Sequence, residues 1–117
     1  MSHPGQPPIP DVPEVDIDDA ERLISGGAIA LDVREPQEFA QGVIPGAILI
    51  PRGDLPERIR GEIPDTSAQI VAYCAGGVRS AYAAETLAGL GYTRVVSMAG
   101  GMNEWAEAGK PVATAGQ

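Results

Sequence analysis

Short apolar runs that alternate with helical stretches constrain this chain more than any other feature. "AIALDV" (28–33), "GAILI" (46–50), "QIVAYC" (69–74) and "TRVVSM" (93–98) each have the length and near-continuous apolarity of a buried strand. Between them lie helical segments. "DDAERLIS" (18–25) has Asp18 as its N-cap and stops before Gly26-Gly27, and "EPQEFAQ" (35–41) carries Pro36 in its first turn. "DLPERIR" (54–60) starts at Asp54, and "RSAYAAETLAGLG" (79–91) repeats Ala83, Ala84, Leu87 and Leu90 on one face. "GMNEWAEAG" (101–109) closes the series before Pro111, and a minor strand fits 14–17. Short strands alternating with helices require crossover connections. The fold class predicted is therefore α/β, a mainly parallel sheet of about five short strands flanked by helices on both faces. In such sheets ligands bind at the carboxyl ends of the strands. Cys74 stands at one such end, and the Asp32–Arg34 stretch at another.

The chain has 117 residues, the size of one domain. Residues 1–13 contain Pro4, Pro7, Pro8, Pro10 and Pro13 and read as an extended, flexible arm; residues 114–117 read as a short tail. The N-terminus has neither a basic start nor an apolar core of the secretory kind, so the cytoplasm is the expected location, with no membrane contact. Sixteen acidic against eight basic residues, a net charge of −8, argue against a nucleic-acid surface. Cys74 is the only cysteine and His3 the only histidine, the latter in the Pro-rich arm. An internal disulfide, a Cys–His catalytic pair and a metal site of Cys/His ligands are thus disfavoured, and neither metal nor organic cofactor is expected.

If Cys74 reacts, something other than histidine must activate it. The stretch "CAGGVRS" supplies the means. The strand ends at Cys74; Ala75, Gly76, Gly77 and Val78 turn the chain; Arg79 and Ser80 open a helix. Glycines allow successive N–H groups to converge on an anion, the helix start adds partial positive charge, and Arg79 adds a full one. Each favours a thiolate over a thiol. Three chemistries fit: attack on phosphorus, uptake of sulfane sulfur as a persulfide, or oxidation as a redox thiol. The bland alternative is a cysteine packed as a small hydrophobe at a strand end.

The residues together resemble the single-domain rhodanese-like sulfurtransferases. "CAGGVRS" resembles the family's active-site loop, "LDVREPQEFAQGVIPGAILIP" (31–51) its upstream signature, and "LAGLGYTRVVSMAGGMNEWAEAGKPV" (87–112) its downstream one. The likeness runs in order over about residues 15–112 and places the rhodanese-like domain at 14–113. It implies transfer of sulfane sulfur from a small anionic donor such as thiosulfate, through a Cys74 persulfide, to a thiophilic acceptor such as cyanide or a thiol. It also implies that Ala75, Gly76, Gly77, Val78 and Arg79 form the persulfide- and substrate-binding loop. Related phosphatases carry a seven-residue loop, whereas Cys74 to Arg79 spans six, which favours sulfur transfer. Two other functions are kept in view: a sulfur-carrier or interaction module loaded by a partner desulfurase, and a cysteine phosphatase or arsenate reductase.

Other residues carry two readings each. Asp32 and Arg34, two apart at a strand end, leave on the same side. They shape a pocket rim, or they are scaffolding in which Arg34 pairs with a carboxylate such as Glu38 and Asp32 holds loop N–H groups. Arg52, after the strand at 46–50, is either a second cation at the site's mouth or a solvated surface residue. Ser80 either bonds the sulfur or caps the helix, capping being the more economical role. Trp105 is expected in the core, and "AGG" (99–101) in a tight turn beside the cysteine loop. Val43 replaces a histidine common in the family and is read as structural.

Overall fold

The computed structural model describes residues 9–114. Its elements, in chain order, are β1 (Glu14–Val15), α1 (Ile17–Ser25), β2 (Ile29–Asp32), α2 (Pro36–Phe39), β3 (Ile48–Leu49), α3 (Leu55–Glu62), β4 (Ile70–Tyr73), α4 (Val78–Gly89), β5 (Val95–Met98) and α5 (Gly101–Glu107), with a 3₁₀ turn at Arg52–Asp54 leading into α3. The sheet has the order β1-β5-β4-β2-β3, and every pairing is parallel.

β4 lies in the middle, and all four of its residues are buried, as a strand covered on both faces must be. Alternation along the strands divides the apolar side chains into two cores. Leu31, Ile70 and Val95 face α3 and α4, where Leu55, Ile59, Ala83 and Leu87 meet them. Ala30, Val71, Tyr73 and Met98 face α1 and α5, where Ala20, Met102 and Trp105 meet them. Trp105 is in the core as expected, and its Nε1 donates to the Pro111 carbonyl at 2.7 Å. Among the described residues no helix is long and apolar enough to cross a membrane.

Three local expectations need correction. The N-cap of α1 is Asp16, not Asp18: its Oδ1 accepts from the Asp19 N–H at 2.8 Å, because this register turns Ala20, Leu23 and Ile24 onto the sheet. α4 begins at Val78 rather than Arg79, with Gly77 as its N-cap. Part of the arm is also not free. Residues 1–8 lie outside the described residues, but Val12 packs against the core and the Pro13 carbonyl accepts from the Ser97 N–H at 2.9 Å. Val43 is structural: it exchanges both backbone hydrogen bonds with Ala113, at 2.9 and 2.8 Å.

Candidate active site

β4 delivers Cys74 to the carboxyl edge of the sheet, between β2 and β5. The loop turns there because Gly77 adopts φ +102°, a left-handed conformation that costs other residues about 1–2 kcal/mol. No side chain caps α4, and its first turn holds no acidic residue, so its N–H groups and its partial positive charge are left for whatever lies in front of them.

What lies there is the Cys74 sulfur. It accepts from the Gly77 N–H at 3.1 Å and the Ser80 N–H at 3.4 Å, and the Ser80 Oγ is 3.6 Å away. Only 1% of Cys74 is exposed. Burial pushes the thiol up, but the Ser80 hydroxyl and the N–H groups of Ser80, Gly77 and Gly76 outweigh it and hold it below its ordinary value.

Ser80 does more than cap. It lies in the first turn of α4, and its hydroxyl donates to the Gly77 carbonyl at 3.1 Å as well as reaching the sulfur. A second hydroxyl, that of Ser97 on β5, stands 2.8 Å from it, and both serines are fully buried. Ser97 was not foreseen; its only signal is a polar residue inside an apolar strand.

α5 closes the loop from the other side. The Met102 N–H donates to the Cys74 carbonyl at 2.8 Å and the Asn103 N–H to the Ala75 carbonyl at 3.0 Å. This approach depends on Gly101, φ +60°, where a Cβ would fall 2.4 Å from the Ala75 carbonyl oxygen and 2.5 Å from that of Cys74. The "AGG" segment thus gives the close turn beside the cysteine loop, and Gly101 is its constrained member.

The two nearby arginines choose partners that differ from expectation. Arg34 does not pair with Glu38. It forks onto Asp32, Nε to Oδ1 at 3.0 Å and Nη2 to Oδ2 at 2.7 Å, and also donates to the Gly42 carbonyl at 2.8 Å. Asp32 is fully buried and cannot line a rim; its Oδ1 accepts the backbone N–H of Arg34 at 3.0 Å rather than holding N–H groups of the cysteine loop. Tyr73 completes this cluster, accepting from the Ile44 N–H at 3.1 Å, with its phenol pushed up first by burial and then by the Asp32 charge.

Glu38 pairs instead with Arg79, Nη1 to Oε1 at 2.7 Å and Nη2 to Oε2 at 2.9 Å. The Glu38 carboxyl is pre-oriented by a reciprocal capping box with Glu35. The Arg79 guanidinium draws it down to about 2 from an ordinary 4.5. Arg79 is therefore locked onto α2, with its charge compensated. Arg52 has no such partner: no described carboxylate pairs with it, and its guanidinium lies over the Tyr82 ring, 4.7 Å from the centroid, one turn along α4 from Val78.

This geometry has close counterparts. A family profile described as "Rhodanese-like domain" matches residues 16–108. The chain is 40% identical to a sulfurtransferase of Allochromatium vinosum over 72% of its own length and 77% of the relative's. It is also 40% identical to the thiosulfate sulfurtransferase PspE of Escherichia coli, over 63% of its length and 70% of that protein's. Among solved structures, a rhodanese-related protein from Thermoplasma volcanium superimposes with a TM-score of 0.77 at 35% identity, over 87% of this chain and 98% of that one.

Proposed function

This chain belongs to the rhodanese-like family, and from that premise we propose that it is a sulfurtransferase working through a persulfide on Cys74, with thiosulfate as a competent donor. The observation that carries the reading is the convergence of two N–H groups and a hydroxyl on one buried sulfur, at the uncapped start of a 12-residue helix. In the first half-reaction the thiolate attacks the outer sulfur of thiosulfate. A new S–S bond forms, the old one breaks with its electron pair on the leaving sulfite, and Cys74 carries a persulfide anion. A thiophile such as cyanide then attacks the terminal sulfur, leaves as thiocyanate and returns the thiolate. One sulfur atom moves and no external oxidant or reductant is consumed.

The loop's N–H groups serve as the anion-holding element, and Arg79, clamped by Glu38, keeps the loop in shape. Arg52 is the cation that draws in the anionic donor, since its charge is the uncompensated one beside α4. The test is intact mass after incubation with thiosulfate. A gain of one sulfur atom is expected in the native protein and none in Cys74→Ser. No gain from folded, reduced protein refutes thiosulfate as donor, and the same measurement with a desulfurase then tests loading by a partner protein.

A further inference from the structure

The Ser80–Ser97 pair joins two fully buried hydroxyls, one on α4 and one on β5, beside the cysteine loop. Ser97 is fully buried, and its register beside Ala72 of β4 sets its hydroxyl under the cysteine loop. Its hydroxyl stands 2.8 Å from the Ser80 Oγ. The Ser80 hydroxyl has three polar neighbours, the Gly77 carbonyl, the Ser97 hydroxyl and the Cys74 sulfur, but only one proton.

Hydrogen counting fixes what Ser97 does. The Gly77 carbonyl can only accept, and so can a Cys74 thiolate. Whichever of them takes the Ser80 proton, the bond between the serines must then run from Ser97 to Ser80. We infer that Ser97 is a positioning residue that acts through Ser80 on Cys74, by keeping the Ser80 hydroxyl a donor toward the loop. With Ser97 in place, one lone pair of the Ser80 oxygen is filled and its own O–H is polarised as a donor toward the loop. With Ser97 absent, the Ser80 hydroxyl loses its polarising donor and both of its lone pairs, rather than one, are open to the Cys74 S–H, a bond that favours the thiol. The inference rests on Cys74 being the reactive thiol of the transfer proposed above.

The test is the pH dependence of alkylation by iodoacetamide. Cys74 is the only cysteine, so uptake reports it alone. Ser97→Ala is expected to raise the midpoint by about half to one pH unit, a three- to tenfold loss of thiolate below it. Ser97→Thr, which keeps the hydroxyl, restores the native midpoint. In a Ser80→Ala background Ser97→Ala adds no further shift, because its route is gone. An unchanged midpoint in folded Ser97→Ala overturns the inference, as does an equal shift with and without Ser80. Alkylation needs no sulfur donor, so a native protein that gains no sulfur from thiosulfate or from a desulfurase yet shows these shifts refutes the transfer reading and supports the role of Ser97.

Discussion

Gly101→Ala should be far more damaging than its small size suggests, and the cost can be worked out in parts. The residue sits at φ +60°, where an alanine costs about 1–2 kcal/mol from backbone sterics. The added Cβ would fall 2.4 and 2.5 Å from the carbonyl oxygens of Ala75 and Cys74. Both are backbone atoms and cannot swing aside, so α5 must retreat. Its two hydrogen bonds to those carbonyls, from Met102 at 2.8 Å and Asn103 at 3.0 Å, then lengthen or break, at about 1 kcal/mol each. The sum is about 3–4 kcal/mol, or roughly 12–16 °C in Tm at about 4 °C per kcal/mol. Gly109→Ala supplies the control: it has φ +75° but nothing within 4 Å of the added carbon, so only the conformational part, about 1–2 kcal/mol, applies. Thermal unfolding of both variants measures the gap. Alkylation should also show a raised Cys74 midpoint in Gly101→Ala alone, since the displaced loop presents its N–H groups less well. Equal Tm losses and a native midpoint in both variants would refute the claim that α5 braces the loop.

Charge removal around the loop should act in opposite directions. Glu38→Gln leaves Arg79 uncompensated near the sulfur and lowers the Cys74 midpoint; Arg79→Gln leaves Glu38 behind and raises it; a shift of the same sign in both variants sinks the electrostatic reading. The same carboxylate sets an acid limit. Its folded value, about 2 against an ordinary 4.5, means that its stabilising contribution is complete above about pH 5 and is lost as pH falls through 2, so the stability gap between native protein and Glu38→Gln should close over that window. With side chains 33% and 29% exposed, the pair contributes only about 1 kcal/mol, which urea unfolding at pH 7 should return. Asp32→Asn is the severe case. It leaves the Arg34 guanidinium buried and uncompensated, at about 3 kcal/mol by the same assay, and a loss under 1 kcal/mol would contradict the buried-pair assignment.

The sequence made the cradle legible because each of its parts is local. A strand ending at Cys74, two glycines and a helix start are consecutive in the chain, and their joint effect on a sulfur follows from backbone geometry. What was not legible depended on which distant groups meet. Arg34 and Arg79 both had carboxylates within reach. The placement of α2, through Glu35 and Glu38, decided that Glu38 goes to Arg79, while the two-residue spacing of Asp32 and Arg34 let that pair close on itself. The start of α1 went astray because Asp16, Asp18 and Asp19 all suit an N-cap, and only the packing of Ala20 selects Asp16. The role of Ser97 turns on the register of β5 against β4, which nothing in "TRVVSM" announces.

The charge arrangement fits the chemistry proposed. A thiolate meeting thiosulfate begins with one negative charge on the protein sulfur, and after sulfite departs one negative charge remains, now on the next sulfur out. The site therefore needs to stabilise a single anion twice, at neighbouring positions, without holding the departing dianion. A free guanidinium at the sulfur would grip sulfite as well as the donor. Here Arg79 is neutralised by Glu38 and Arg34 by Asp32, and what faces the sulfur is a set of N–H and O–H dipoles. Dipoles act over a short range and are fixed in direction by the αL turn at Gly77 and the brace at Gly101, so they favour the charge where it must sit and release it a few ångströms away. A chain with a net charge of −8 can thus handle an anion, because the selectivity lies in one loop's backbone rather than in the protein's overall field.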